Sequence, residues 1–148
     1  AVGDALAEAG ARVPIVGVEE DRALISRVVD TMNHEALNLC GRLSLRGLAG
    51  LLSRCAVVVS NDSGPLHLGV AVGAATVGIY WGPNLINAAP PTRSRHRPAL
   101  SWRSSCPVCG ATLFDNDCGH AVSVVADVPT EEVVNHALDL LWSSTPPR

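Results

Sequence analysis

The chain contains no lysine; its 11 basic residues are all arginine, and 14 acids bring the formal net charge to −3. No basic excess marks a surface for nucleic acid or an anionic membrane. Aromatic residues make up only 3% of the chain. A core must therefore come from Ala, Val, Leu and Ile, a palette that suits stacked helices and a buried sheet. No apolar run reaches the roughly 20 residues that a spanning helix needs, so no transmembrane segment is expected. A signal-peptide pattern is also missing, because Ala1 to Gly10 carries Asp4 and Glu8 and lacks a basic start. The expected setting is the cytoplasm, where thiols stay reduced. Five cysteines are an odd number, which does not suit a fully paired disulfide framework. Finally, no Met opens the chain, and Leu6 with its alanine neighbours, closed by Gly10, reads as the tail of a helix. The expectation is one domain over 1–148, truncated at its N-terminus by a strand and a loop.

What is present is a 47% apolar chain of 148 residues, enough for one proper core. Arg12 to Val18 reads as a short buried strand. Glu19 to Met32 reads as an amphipathic helix with acids in its first turn and Leu24, Ile25, Val28, Val29 and Met32 at helical spacing. Ala36 to Cys40 is a second strand, and Gly41 to Leu45 leads into a helix carrying Leu48, Leu51 and Leu52. Ala56 to Ser60, Pro65 to Val72 and Ala75 to Tyr80 read as strand, helix and strand. This alternation predicts an α/β fold, Rossmann-like, with a parallel sheet and helices on both faces. From Trp81 to Asp127 the pattern breaks, and a long loop is expected, functional or tied down by something. A C-terminal helix over 130–142 follows, with Val133, Val134, Ala137, Leu138, Leu141 and Trp142 as its apolar face; Ser143 to Arg148 is expected to fray.

The most informative stretch is Asn61-Asp62-Ser63-Gly64-Pro65-Leu66-His67. A valine-rich strand delivers it to the carboxyl edge of the sheet, where open α/β sheets bind ligands. Ser63 or Asp62 can cap the first amides of the next helix. Gly64 removes a side chain where a ligand would approach, and Pro65 is tolerated early in a helix. Free amides and the helix dipole form an anion site, and His67, one turn in, leans back toward it. The plainer reading is a well-capped helix with a satisfied histidine. The coincidence of edge, cap, glycine and histidine favours the anion site.

Val59 to Tyr80, which reads VSNDSGPLHLGVAVGAATVGIY, resembles the signature of family 9 glycosyltransferases, the lipopolysaccharide heptosyltransferase family, and Leu39 to Leu45 resembles the segment preceding it. The likeness runs from about Ala5 to Tyr80 and resumes in the last helix. It implies the C-terminal, donor-binding half of a GT-B enzyme. Asp62, Ser63, Gly64 and His67 would then hold the diphosphate of a nucleotide sugar (ADP-heptose-like), and Asn38 and Leu39 would lie near the nucleoside. The implied reaction is inverting transfer to a lipopolysaccharide or other glycan acceptor. His67 and the helix terminus would stabilise the leaving group, and a carboxylate base on an N-terminal domain would activate the acceptor. On this reading the chain alone lacks activity, and the full-length protein is peripheral to the inner membrane of a bacterium. Two rivals stand beside it: a fragment of a sugar-nucleotide epimerase, which product analysis would separate, and a non-catalytic nucleotide-sugar-binding module.

Cys106-Pro-Val-Cys109-Gly and Cys118-Gly-His120 give Cys-x2-Cys-x8-Cys-x-His. Thiolate and imidazole ligands suit tetrahedral Zn²⁺, and such an ion would explain an ordered long loop. Ordinary thiols and a redox pair are the alternatives, the latter disfavoured without a helix starting at Cys106. The resemblance implies metal-independent transfer, so a zinc would be structural. Cys40 and Cys55 read as packing residues. Arg93-Ser-Arg95-His96-Arg97 reads as a solvated loop or a phosphate contact. Trp81 departs from the family's Tyr-Gly-Pro-Thr as an insertion before Gly82-Pro83-Asn84, and could stack on a base or pack. His34 and His136 read as surface residues.

Overall fold

A computed structural model describes residues 1–90, 92–114 and 118–143. Among these described residues six α-helices and five strands are formed. They run α1 (Val2–Glu8), β1 (Val13–Ile15), α2 (Arg22–Thr31), β2 (Ala36–Asn38), α3 (Leu45–Leu52), β3 (Val58–Asn61), α4 (Gly64–Ala71), β4 (Thr76–Trp81), α5 (Gly82–Ala88), β5 (His96–Ser101) and α6 (Thr130–Ser143). Every strand pairing is parallel, as the alternation of apolar strands and helices requires. The expected α/β architecture is present, with one difference. The strands form two ladders, β1–β2 and β3–β4–β5, rather than one continuous sheet.

The three-stranded ladder carries helices on both faces. Side chains alternate along β4. Val77 points to one face and joins Leu6, Ala75, Ala99, Val133, Ala137 and Leu140 in the main core, beneath α1 and α6. The opposite face packs α3 and α4 through Leu52, Val58 and Ala74. On that face Gly78 makes room: a Cβ there would lie 2.4 Å from the Tyr80 ring and 2.8 Å from Leu66. Close packing of α4 on the sheet therefore demands glycine at this position.

Several sequence expectations are corrected. The stretch from Trp81 to Asp127 is not loop throughout, because α5 and β5 lie inside it. Gly82-Pro83 starts a helix, with proline in the first turn where its missing N–H costs nothing. Among the described residues β5 pairs only with β4, and such an edge strand tolerates Pro98 and charge. The helix expected from Glu19 begins as a 3₁₀ turn over Glu19–Asp21. Within α2 only Ile25 is buried, and Leu24 and Val28 are exposed. The strand at Val13–Ile15 is half-buried, not buried. In α6 the buried residues are Val133, Ala137 and Leu140, spaced i, i+4, i+7. Trp142, expected on the apolar face, is 63% exposed one helical step beyond it. Pro91 and the expected frayed end beyond Ser143 lie outside the described residues. Among the described residues, no helix is long and apolar enough to cross a membrane.

Candidate functional site

β3 ends at Asn61, and the Asp62 amide donates to Ile79 O at 3.0 Å, so the chain leaves the sheet beside the end of β4. Ser63 is extended and serves as the N-cap residue of α4. The expected side-chain cap does not form. The Ser63 hydroxyl donates instead to Asn61 O at 3.1 Å and lies 3.2 Å from Ser60 Oγ. The amides of Leu66 and His67 both reach Ser63 O, at 3.0 and 3.3 Å. That leaves the Ser63 and Gly64 N–H groups at an uncapped helix start, where the backbone dipole favours an anion.

Gly64 is required neither by packing nor by backbone. A Cβ built there meets nothing within 4 Å, and its φ is not positive. Ser63, Gly64 and His67 are all exposed. The His67 Nε2 lies 3.0 Å from Asp62 Oδ1, which fixes the ring over the first turn. The structure thus brings Asp62, Ser63, Gly64 and His67 together at one helix start. Asn38 and Leu39 sit at the end of β2 in the other ladder. Asn38 Oδ1 accepts from the Cys40 amide at 3.0 Å, and the Leu39 amide donates to Ile15 O at 2.9 Å.

Other residues of the sequence reading find definite partners. Trp81 ends β4, its Nε1–H donates to Arg103 O at 2.8 Å, and its ring stacks on Phe114 with centroids 5.4 Å apart. Packing, one of its expected roles, is formed. The basic cluster is split. His96 and Arg97 belong to β5, where Arg97 donates to Asp139 Oδ2 at 2.7 Å and to the Arg93 carbonyl. Arg93 and Arg95 are exposed. His96 is half-buried with Nδ1 2.8 Å from Thr76 Oγ1, and burial, then the Arg95 charge, lowers its pKa. Cys40 is buried, its thiol donating to Val18 O at 3.0 Å, whereas Cys55 is only half-buried. His34 is exposed and His136 half-buried.

Two residues escaped sequence reasoning. Asp4 accepts from the amides of Asn33 and His34 at 2.7 and 3.1 Å and ties α1 to the turn before β2. Partners about thirty positions away leave no local signal. Tyr80 is buried with a hydroxyl that has no partner among the described residues. Burial, then the Asp62 charge, raises its pKa.

Cys106, Cys109, Cys118 and His120 converge, and their ligand atoms all lie within 4.8 Å of one another, an arrangement able to hold a metal ion. Cys106 is buried, Cys118 half-buried, and Cys109 and His120 are exposed. The amides of Cys109 and then Val108 bring the Cys106 thiol down to about 7.

The fold described above matches that of solved glycosyltransferases. The glycosyl transferase family 9 structure from Veillonella parvula superposes with a TM-score of 0.73 at 25% identity, covering 96% of this chain and 40% of that one. The ADP-heptose lps heptosyltransferase II structure from E. coli superposes with a TM-score of 0.70 at 20% identity, again over 96% and 40%. In sequence, lipooligosaccharide heptosyltransferase 2 of Campylobacter jejuni is 25% identical over 123 residues, which are 81% of this chain and 36% of that protein. The chain therefore spans between a third and two-fifths of the length of these relatives. Residues 1–107 match glycosyltransferase family 9 (heptosyltransferase), and the chain belongs to that family.

Proposed function

We propose that this chain is the donor-binding part of an enzyme that transfers a heptose-like sugar from a nucleoside diphosphate to a lipopolysaccharide or other glycan acceptor. The observation that carries the reading is the uncapped start of α4, with the Ser63 and Gly64 amides exposed beside His67. A diphosphate seated there accepts from both amides. Its negative charge grows as the sugar–phosphate bond breaks, and the helix dipole opposes that growth. With Nε2 held by Asp62, His67 offers Nδ1 to the phosphate, and only the imidazolium donates through both nitrogens. Asn38 and Leu39 are assigned to the nucleoside side of the donor.

Asp62, the carboxylate at this helix start, is engaged with the histidine. The base that deprotonates an acceptor hydroxyl is therefore assigned to a separate domain, with inversion at the sugar carbon as the expected outcome. On this account the chain alone is an inactive donor-binding domain, and the complete protein works in the cytoplasm at the inner face of a bacterial membrane. Transfer needs no metal, and any ion at Cys106, Cys109, Cys118 and His120 is structural. His67→Ala in the complete enzyme should lower kcat/KM for the nucleotide sugar by about a hundredfold, the loss of one charge-stabilising donor. Unchanged kinetics would remove His67 from the site.

A further inference from the structure

We propose that Cys106, Cys109, Cys118 and His120 bind one Zn²⁺ ion, and that this ion fastens the connection between β5 and α6 against the carboxyl end of β4. A tetrahedral zinc with sulfur ligands at about 2.3 Å sets those sulfurs about 3.8 Å apart. The four ligand atoms here lie within 4.8 Å of one another, with Cys106 Sγ 3.8 Å from His120 Nδ1. A contraction of about 1 Å closes the tetrahedron. The four come from two short stretches, Cys106–Cys109 and Cys118–His120, of a chain segment with little regular structure.

The backbone is already folded as a metal-binding turn. The Cys106 amide donates to Ala111 O and the Gly110 amide to Cys106 O, each at 2.8 Å, and the Val108 amide points at Cys106 Sγ from 3.4 Å. Gly110 has φ +77, a left-handed conformation that suits glycine. Amide donors on a sulfur favour its thiolate, the form that ligates. Three thiolates and one imidazole select zinc over hard cations such as Mg²⁺ or Ca²⁺. Four protein ligands also fill the coordination shell, so the ion is structural. Binding displaces three thiol protons to solvent and leaves a centre of net charge −1.

The consequence reaches the donor edge through Phe114. The Ser105–Thr112 bridge closes the turn, and Phe114, two residues on, stacks on Trp81 at the end of β4. Trp81 also holds Arg103 O. Between Ser101 and Thr130 the described residues form no helix or strand, so a cross-link is what such a segment requires to keep one conformation. The family match stops at residue 107, within this turn. Zinc is read without donor or acceptor, so the proposal stands or falls apart from the transfer reaction.

The test is metal content of the purified, reduced chain by elemental mass spectrometry. About one zinc per chain is expected. Cys109→Ser, at an exposed position, should lose at least about nine-tenths of it, while Cys55→Ser keeps it, since removing one ligand from such a site costs most of its affinity. Titration of wild-type apo-chain with Co²⁺ should give the visible bands of a tetrahedral thiolate site and saturate at one equivalent, a readout independent of whether the variant folds. Chelation should speed trypsin cleavage after Arg103 about tenfold as the segment opens. Metal-free but folded and reduced chain, zinc retained in Cys109→Ser, or a Cys106–Cys109 disulfide in the freshly isolated chain would overturn the site. Unchanged cleavage on chelation would overturn its fastening role.

Discussion

Two glycines near the sheet edge answer to different forces. Gly64 faces open space and carries no positive φ. An added methyl should leave stability unchanged or raise it slightly, by about 0.4–1 kcal/mol, because it narrows the unfolded ensemble. On the proposed function, the same methyl would occupy the volume where the diphosphate approaches the amides. Gly64→Ala should therefore hold its Tm and weaken nucleoside diphosphate binding by about tenfold or more, measured by calorimetric titration beside a melting curve; a lost Tm would mean that glycine serves packing after all. The grouping of Asp62, Ser63, Gly64 and His67 was within reach of sequence because all four fall within six residues, whereas the Asp62–His67 pairing was not read from it. The uncapped Ser63 was not, since choosing between its possible partners depends on where Ser60 and Asn61 end up in space. Asp4 was invisible for the same reason on a larger scale, with its partners at Asn33 and His34.

At the scale of elements, β3, α4 and β4 were legible because apolar runs and a glycine-proline start agree with their final environment. Gly78 is the point where that agreement is tightest. Gly78→Ala places a Cβ 2.4 Å from the Tyr80 ring and 2.8 Å from Leu66. It should cost about 1–3 kcal/mol, the typical price of overpacking a filled core, read from urea denaturation; no loss would mean that α4 rides farther from the sheet. β5 was missed because its apolar pattern is broken by Arg97 and Pro98, and an edge position excuses both. Arg97 has a pairing purpose with Asp139 of α6, which a charge cluster in sequence does not disclose. α5 was missed because Gly-Pro reads as a turn until the following residues are seen to coil.

For the whole molecule, protonation provides a check on the β4–β5 join. Burial, then Arg95, lowers the pKa of His96 below its ordinary 6.5, so the folded chain holds that proton less readily than the unfolded one. Stability from this group is full above about pH 6.5 and is lost as pH falls through the folded value. Denaturation midpoints should decline from pH 7.5 toward 5, and His96→Asn should flatten that decline; an unaltered slope would place its origin elsewhere. The two ladders and the coverage of about two-fifths of the related structures explain why fold class was readable while the reaction as a whole was not. On the proposed function, the donor-holding groups are local to one helix start, and the acceptor-activating base is assigned to a separate domain.

The central claim is that the start of α4 holds a diphosphate. Its most direct test is titration of the isotope-labelled chain with ADP, followed through backbone amide resonances. The account predicts that the largest saturable shifts fall on Ser63 and Gly64, with His67 ring resonances moving in step, and that His67→Ala weakens the response. Saturable shifts centred elsewhere, or an identical titration in His67→Ala, would contradict it.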